Sequence, residues 1–176
     1  MRAHAALPVL LVALALPAFA LPATARAYDH QATLELGLGW AHAFDATAYD
    51  ENGLAVVLGG SVGLGDTFAL RGAITWAGHP GPSFAQVGQI GAEVVYLVDI
   101  LEVVPFAGIG IDAMGTIAGS DARADFAVHA VGGVDWLFQR GMYVGIEARP
   151  FLALTALDAA PIHLTVTARF GLTFDL

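Results

Sequence analysis

The last fifteen residues of the chain alternate without a fault. Ile162, Leu164, Val166, Ala168, Phe170, Leu172, Phe174 and Leu176 fall on one side of an extended chain. His163, Thr165, Thr167, Arg169, Gly171, Thr173 and Asp175 fall on the other. A period of two belongs to a strand, whose successive side chains point to opposite faces. The run is longer than the usual globular strand of about 3–10 residues. It therefore calls for a sheet of long strands with one uniformly apolar face.

Seven upstream segments follow the same rule. The first sets Leu34, Leu36, Leu38 and Trp40 against Thr33, Glu35, Gly37 and Gly39. The second sets Leu54, Val56, Leu58, Val62 and Leu64 against Gly59, Ser61 and Gly63. The third sets Phe68, Leu70, Ile74 and Trp76 against Arg71, Ala73 and Thr75. The fourth sets Ile90, Ala92, Val94, Tyr96 and Val98 against Gln89, Gly91 and Glu93. In the fifth, about Val103 to Ala113, the parity is weakest; Ala107, Ile109 and Ile111 are assigned to the apolar face. The sixth sets Phe126, Val128, Ala130, Val134 and Trp136 against His129, Gly133 and Asp135. The seventh sets Met142, Val144, Ile146 and Ala148 against Tyr143, Gly145, Glu147 and Arg149.

The connections alternate as well. Gly65-Asp66-Thr67, Asp99 to Glu102 and Phe138 to Gly141 are tight. Phe44 to Gly53, Ala77 to Ala85, Met114 to Ala124 and Leu152 to Pro161 are expected to be long loops. Eight antiparallel strands with turns at one end and loops at the other predict an all-β, up-and-down barrel.

Alternation alone fits two barrels, one soluble with its apolar face inward and one membrane-embedded with that face outward. Composition separates them. Charged residues make up 13% of the chain and hydrophobic residues 57%, against a typical charged share of about 25%. The non-apolar face is mostly glycine with isolated ionisable groups, a poor solvent surface but a good filling for a narrow eight-stranded bore. No clean run of about 20 apolar residues follows the N-terminal region, which leaves the closed barrel as the way into a bilayer. Trp40, Trp76 and Phe126 at the loop ends, and Phe68, Tyr96, Trp136 and Phe174 at the turn ends, are placed to form two interfacial girdles. A soluble periplasmic ligand-binding barrel is the architectural alternative.

The N-terminus reads as an export signal. Arg2 precedes an apolar stretch from Ala5 to Ala20, and Ala25-Arg26-Ala27 is a small-x-small cleavage triplet. Residues 1–27 are thus expected to be removed, and residues 28–176 to form the outer-membrane barrel domain. Removing Arg2 and Arg26 leaves five of the seven basic residues against 16 acidic ones, a formal charge of −11. Nothing this acidic carries a nucleic-acid footprint. The chain has no cysteine, which excludes disulfides and thiolate metal sites.

These features together resemble the small outer-membrane β-barrel superfamily of Gram-negative bacteria, the porin-like or opacity-type eight-stranded barrels. The resemblance rests on the terminal strand, on Val104-Pro105-Phe106-Ala107-Gly108-Ile109-Gly110 opening a mid-chain strand, and on Tyr143-Val144-Gly145-Ile146-Glu147-Ala148-Arg149 in the penultimate one. It implies outer-membrane lipid as the surrounding partner and a C-terminal strand read by the barrel-assembly machinery. In the family the last residue is usually aromatic; here it is Leu176, with Phe174 and Phe170 in the same stripe.

The face turned into the bore holds Glu35, Arg71, Glu93, Asp135, Glu147, Arg149 and Arg169, with His129 and His163 expected nearer the loops. Buried charge is costly unless paired. Arg169 is therefore expected to face Glu35, and Arg149 and Arg71 to find Glu147, Glu93 or Asp135. Such a network predicts a barrel plugged by its own side chains, with a structural or surface-interaction role. A narrow passive channel is the second reading and a lipid-modifying hydrolase the third. Hydrolysis needs a nucleophile beside a base. Ser61 sits toward the turn end, His129 and His163 toward the loop end, and Ser83 and Ser120 in loops, so no enzyme is expected. His42, His79, His129 and His163, with Asp45, Asp50, Asp121, Asp125 and Asp158, match no zinc or calcium spacing and read as solvated loop-half residues. No cofactor or metal is expected, and the loop partner is open.

Overall fold

The computed structural model describes residues 31–46, 49–82, 84–98, 102–157 and 162–176. The leader assigned to residues 1–27, Ser83 and Asp158 lie outside them. Eight strands form: β1 (Gln31–Ala43), β2 (Asn52–Gly63), β3 (Phe68–His79), β4 (Ala85–Leu97), β5 (Val103–Ala118), β6 (Asp121–Gln139), β7 (Met142–Ala153) and β8 (Ile162–Asp175). Each pairs antiparallel with the next, and β1 closes on β8 from Gln31–Asp175 to Ala43–His163. Closure pairs both edges of the sheet, which a bilayer requires because lipid tails offer no hydrogen bonds.

The face carrying the large apolar side chains points outward. Leu34, Leu36, Leu38, Leu58, Ile90 and Ile146 are all exposed, and Ile109 is 72% exposed. Ala107, Ile109 and Ile111 share that face, and Phe106, on the opposite parity, turns inward. The seven girdle aromatics lie outside the bore. Phe68 and Tyr96 stack edge to face at the turn end, with ring centres 5.3 Å apart. At the loop end the Trp40 and Trp76 indoles donate to Asn52 Oδ1 and Gln86 Oε1. Val98 departs from its expected stripe: it lies past the end of β4, is buried, and its N–H donates to the Pro105 carbonyl.

The segment Met114–Ala124 is not a long loop. β5 runs on to Ala118 and β6 begins at Asp121, so the hairpin turns on Gly119-Ser120 alone, with Gly119 at φ 60°. The small, weakly alternating residues of this stretch carry little strand signal of their own. Cross-strand pairing, Thr116 with Arg123 and Ala118 with Asp121, supplies the order. β6, at 19 residues, exceeds the roughly 9–11 needed to cross a bilayer, so this hairpin rises above the loop-side rim.

One seam is interrupted. The β6–β7 ladder pairs His129 with Phe151 and resumes at Gly132 with Ala148; Pro150 occupies the gap, where it has no N–H to contribute.

The bore is layered. From the turn end, β4 turns Leu97, Val95, Glu93, Gly91, Gln89 and Val87 inward. A turn-side apolar layer of Ala69, Val95, Leu97, Val104, Phe106 and Val131 lies on one side of the charged groups. A loop-side layer of Ala41, Ala55, Ala77, Val87, Met114 and Ala153 lies on the other.

Candidate functional site

Every charged bore residue is delivered by the strand period. Each occupies an inward position of its strand: Glu35 on β1, Arg71 on β3, Glu93 on β4, Asp135 on β6, Glu147 and Arg149 on β7, Arg169 on β8. All are buried, Arg149 to 1% exposure. The structure gathers them into one connected cluster. Arg169 Nη2 donates to Glu35 Oε2 at 2.5 Å and to Tyr143 Oη at 2.9 Å, and Arg169 Nη1 donates to Glu147 Oε2 at 2.6 Å. Tyr143 in turn donates to Glu35 Oε2 at 2.9 Å.

Arg71 donates from Nε to Glu93, lies 2.7 Å from Glu147 Oε2 through Nη2, and is 3.7 Å from Glu35 Oε1. Arg149 Nη2 sits 2.9 Å from both Glu93 Oε1 and Glu147 Oε1. Asp135 faces Arg169, with Oδ1 3.3 Å from Nε, and so does not partner Arg71 or Arg149. Phe106 lies under two of the cations, 5.2 Å from Arg71 and 4.8 Å from Arg169. The face of an aromatic ring is electron-rich and attracts a guanidinium there.

Two members of the cluster, Asp112 and Phe106, were not singled out from the sequence, and a third, His129, was assigned to the bore at the wrong depth. His129 is not near the loops; it lies in the cluster, with Nε2 2.6 Å from Glu93 Oε2 and Nδ1 hydrogen-bonded to Asp112. Its depth depends on β6 extending far past the rim. Asp112 was hidden by the ambiguous parity of β5, and Phe106 by the same ambiguity. The alternation of Ile109 and Ile111 with Gly108 and Gly110 was the available signal for both.

Large inward side chains need room on the neighbouring strand. Tyr143 is paired with Gly171, and a Cβ added at 171 would overlap the phenol ring. Asp112 is paired with Gly91, where a Cβ would run into the carboxylate. Gly171→Val should therefore cost about 1–3 kcal/mol by overpacking. That cost should shrink in a Tyr143→Ala background, as a double-mutant cycle in urea would show; equal costs in both backgrounds would mean that the ring is not what fills the space.

Both ring nitrogens of His129 are engaged by carboxylates, and the Ser61 hydroxyl is hydrogen-bonded to Thr33 at 2.6 Å. Among the described residues no group of three or more His, Asp or Glu side chains is arranged to hold a metal ion.

At the loop end, Asp125 is not a solvated loop residue. It is buried on the inner face of β6, where it accepts from Arg123 Nε and from the Thr155 hydroxyl at 2.8 Å. Arg123 Nη2 also donates to the Thr155 carbonyl at 2.8 Å, so the β7–β8 connection is tied to the tall hairpin. On the opposite rim Tyr49 packs against His79, whose Nδ1 contacts the Asp50 carbonyl oxygen at 3.1 Å. Partial burial there pushes the Tyr49 phenol above its ordinary range.

Comparison with known proteins places this geometry. Neisserial surface protein A superposes with a TM-score of 0.68 at 12% identity, over 82% of this chain and 96% of that one. OprG of Pseudomonas aeruginosa superposes with a TM-score of 0.60 at 9% identity, over 85% and 98%. Ail, the attachment invasion locus protein of Yersinia pestis, superposes with a TM-score of 0.55 at 9% identity, over 83% and 99%. At these identities the likeness is one of fold. No curated protein matches the sequence. Residues 11–170 match the family described as outer membrane protein beta-barrel domain. A closed barrel with its apolar face turned outward agrees with that description, and the chain belongs to this family of integral outer-membrane β-barrels.

Proposed function

We propose that the protein is a non-conducting outer-membrane scaffold whose biological contacts are made by its loop-side rim. The observation that carries this reading is the layering of the bore. The salt-bridged network fills the bore beneath a packed loop-side apolar layer, so an ion crossing the barrel would have to shed its water at that layer and break the salt bridges beyond it. What remains to meet other molecules is the outside: lipid around the apolar belt, and the rim carrying the β5–β6 hairpin and the β7–β8 connection tied to it. Loops on a rigid scaffold are common sites of recognition. A surface role agrees with the names of two fold relatives, a surface protein and an attachment protein. β8, the unbroken terminal strand, is the segment offered to the barrel-assembly machinery.

The test has two readouts. In planar bilayers the purified full barrel should give no unitary current; reproducible steps would overturn the plugged-bore reading. An epitope inserted between Gly119 and Ser120 should be labelled on intact cells, and one inserted at Gly65-Asp66 only after permeabilisation. The reverse pattern would place the rim in the periplasm and sink the surface role.

A further inference from the structure

We infer that the outer wall of the barrel carries a seat for one lipid acyl chain, in an apolar groove that runs obliquely from β3 to β8. The groove has a volume of about 890 Å³. Cross-strand register shows how it arises. One ridge is the outward row Leu70, Val94 and Ile109, each paired with the next across the strands. The other is the row Ile111, Val128, Leu152 and Ile162. Between the rows lie Glu93, Gly110, His129 and Phe151. The side chains of Glu93, His129 and Phe151 are buried on the inner side of the wall, so main chain forms the floor. The ridges are also low in places. The first falls away at Ala130, which pairs with Ile109, and at Pro150 in the interrupted β6–β7 seam. The second begins at Ala92, which pairs with Ile111.

Three features select the occupant. The outward side chains that line the groove are apolar, which suits hydrocarbon and offers a sugar, phosphate or ion no partner. The groove is continuous with the lipid-facing belt, in which Val94, Ile109 and Ile111 are exposed. Its course also fits. Five steps between strands about 4.8 Å apart, on strands tilted by about 40°, carry it about 15 Å along the barrel axis, half of a hydrocarbon core of about 30 Å and so the depth of one leaflet. At the turn-side end the next outward residues are Phe68 and Tyr96, the edge-to-face pair of the girdle. A second barrel would meet this wall as one convex surface against another and leave the oblique trough unfilled. A hydrocarbon chain is narrow and bends, so it can touch both ridges and the floor at once. Space left empty there would forfeit those dispersion contacts. The seat depends on the lipid-facing exterior and not on what the rim binds.

The experiment is photo-crosslinking of the full barrel refolded into phosphatidylcholine vesicles, a small share of whose lipid carries a diazirine midway along an acyl chain. Adducts are then located by peptide mass spectrometry. The expected result is severalfold more adduct on Val94, Ile109 and Ile111 than on Leu36, Leu58 and Ile146, which are also exposed but lie outside the groove. Ala130→Phe places a ring in the trough and should level the two groups. Ala168→Phe adds the same ring to the outward face of β8 away from the groove and should leave the contrast intact. Ala92→Phe fills the trough from the other ridge and serves if Ala130→Phe does not fold. Equal labelling of the two groups in the unsubstituted barrel overturns the seat. So does a contrast that survives a trough-filling substitution. Adducts joining two copies of the chain through the groove residues, in place of lipid adducts, would assign the groove to a second barrel and overturn it as well.

Discussion

Replacing Arg169 with alanine should lower the unfolding free energy by about 3–5 kcal/mol, the range for removing one partner of a buried ion pair. The reason lies in what stays behind. Arg169 is the common partner of Glu35, Glu147 and Asp135, donates to the Tyr143 oxygen, and lies over Phe106. Its removal leaves Glu35 and Asp135 without their close cation in a low-dielectric bore, where Arg71 and Arg149 are already committed to Glu93 and Glu147. The network as a whole need not be more stable than an apolar filling; the penalty comes from breaking it in half. Adding Glu35→Gln to Arg169→Ala should recover part of the loss, because it removes one stranded charge. Arg140→Ala, in the exposed β6–β7 turn, should change stability by no more than about 0.5 kcal/mol. The urea midpoint for loss of the fast-migrating band in unheated gels measures all three. Equal midpoints for Arg169→Ala and Arg140→Ala would show that Arg169 carries no more of the fold than a surface residue.

The second large effect probes the outside of the barrel. Ile74 lies near the middle of β3 and is 54% exposed to what surrounds the barrel. Ile74→Arg should cost about 2–4 kcal/mol in a bilayer, the range for a lipid-facing arginine at midplane. Val62, also outward but at the turn end of β2, should tolerate arginine at about 0–1 kcal/mol. The gradient between the two is the signature of lipid. In water both substitutions would be mild, since an exposed arginine is well hydrated. Folding titrations into vesicles of defined thickness would measure the difference. Indistinguishable costs at the two positions would remove bilayer contact as the reason for the apolar exterior.

Much of this architecture could be read before any coordinates. The fault-free run from Ile162 to Leu176 identified a long strand, the glycine-rich opposite face argued for a narrow bore, and strand parity placed Glu35, Arg71, Glu93, Glu147, Arg149 and Arg169 inside it. Parity is local: a side chain two residues from an inward neighbour is inward, whatever the partner strand does. The expected Glu35–Arg169 contact depended on one further step, that the first and last strands of an even-stranded barrel lie side by side. The contact is present at 2.5 Å.

Where the sequence misled, the missing information was cross-strand. Residues 114–124 looked like a loop because small and polar residues are weak strand formers alone, yet paired against each other they extend the hairpin. That extension brought His129 down to Glu93 and Asp112 and buried Asp125. Asp135 was placed in the bore as one of three carboxylates open to Arg71 and Arg149; those two take Glu93 and Glu147, and Asp135 meets Arg169 instead, because which guanidinium it meets depends on the stagger between strands. The chain by itself determined which face of each strand is apolar, and with it the outward-facing barrel. That follows from a two-residue period that needs no partner. Only the closed tertiary structure decided the depth of each side chain in the bore, and hence who pairs with whom. Depth is set by register, and register is a property of two strands together.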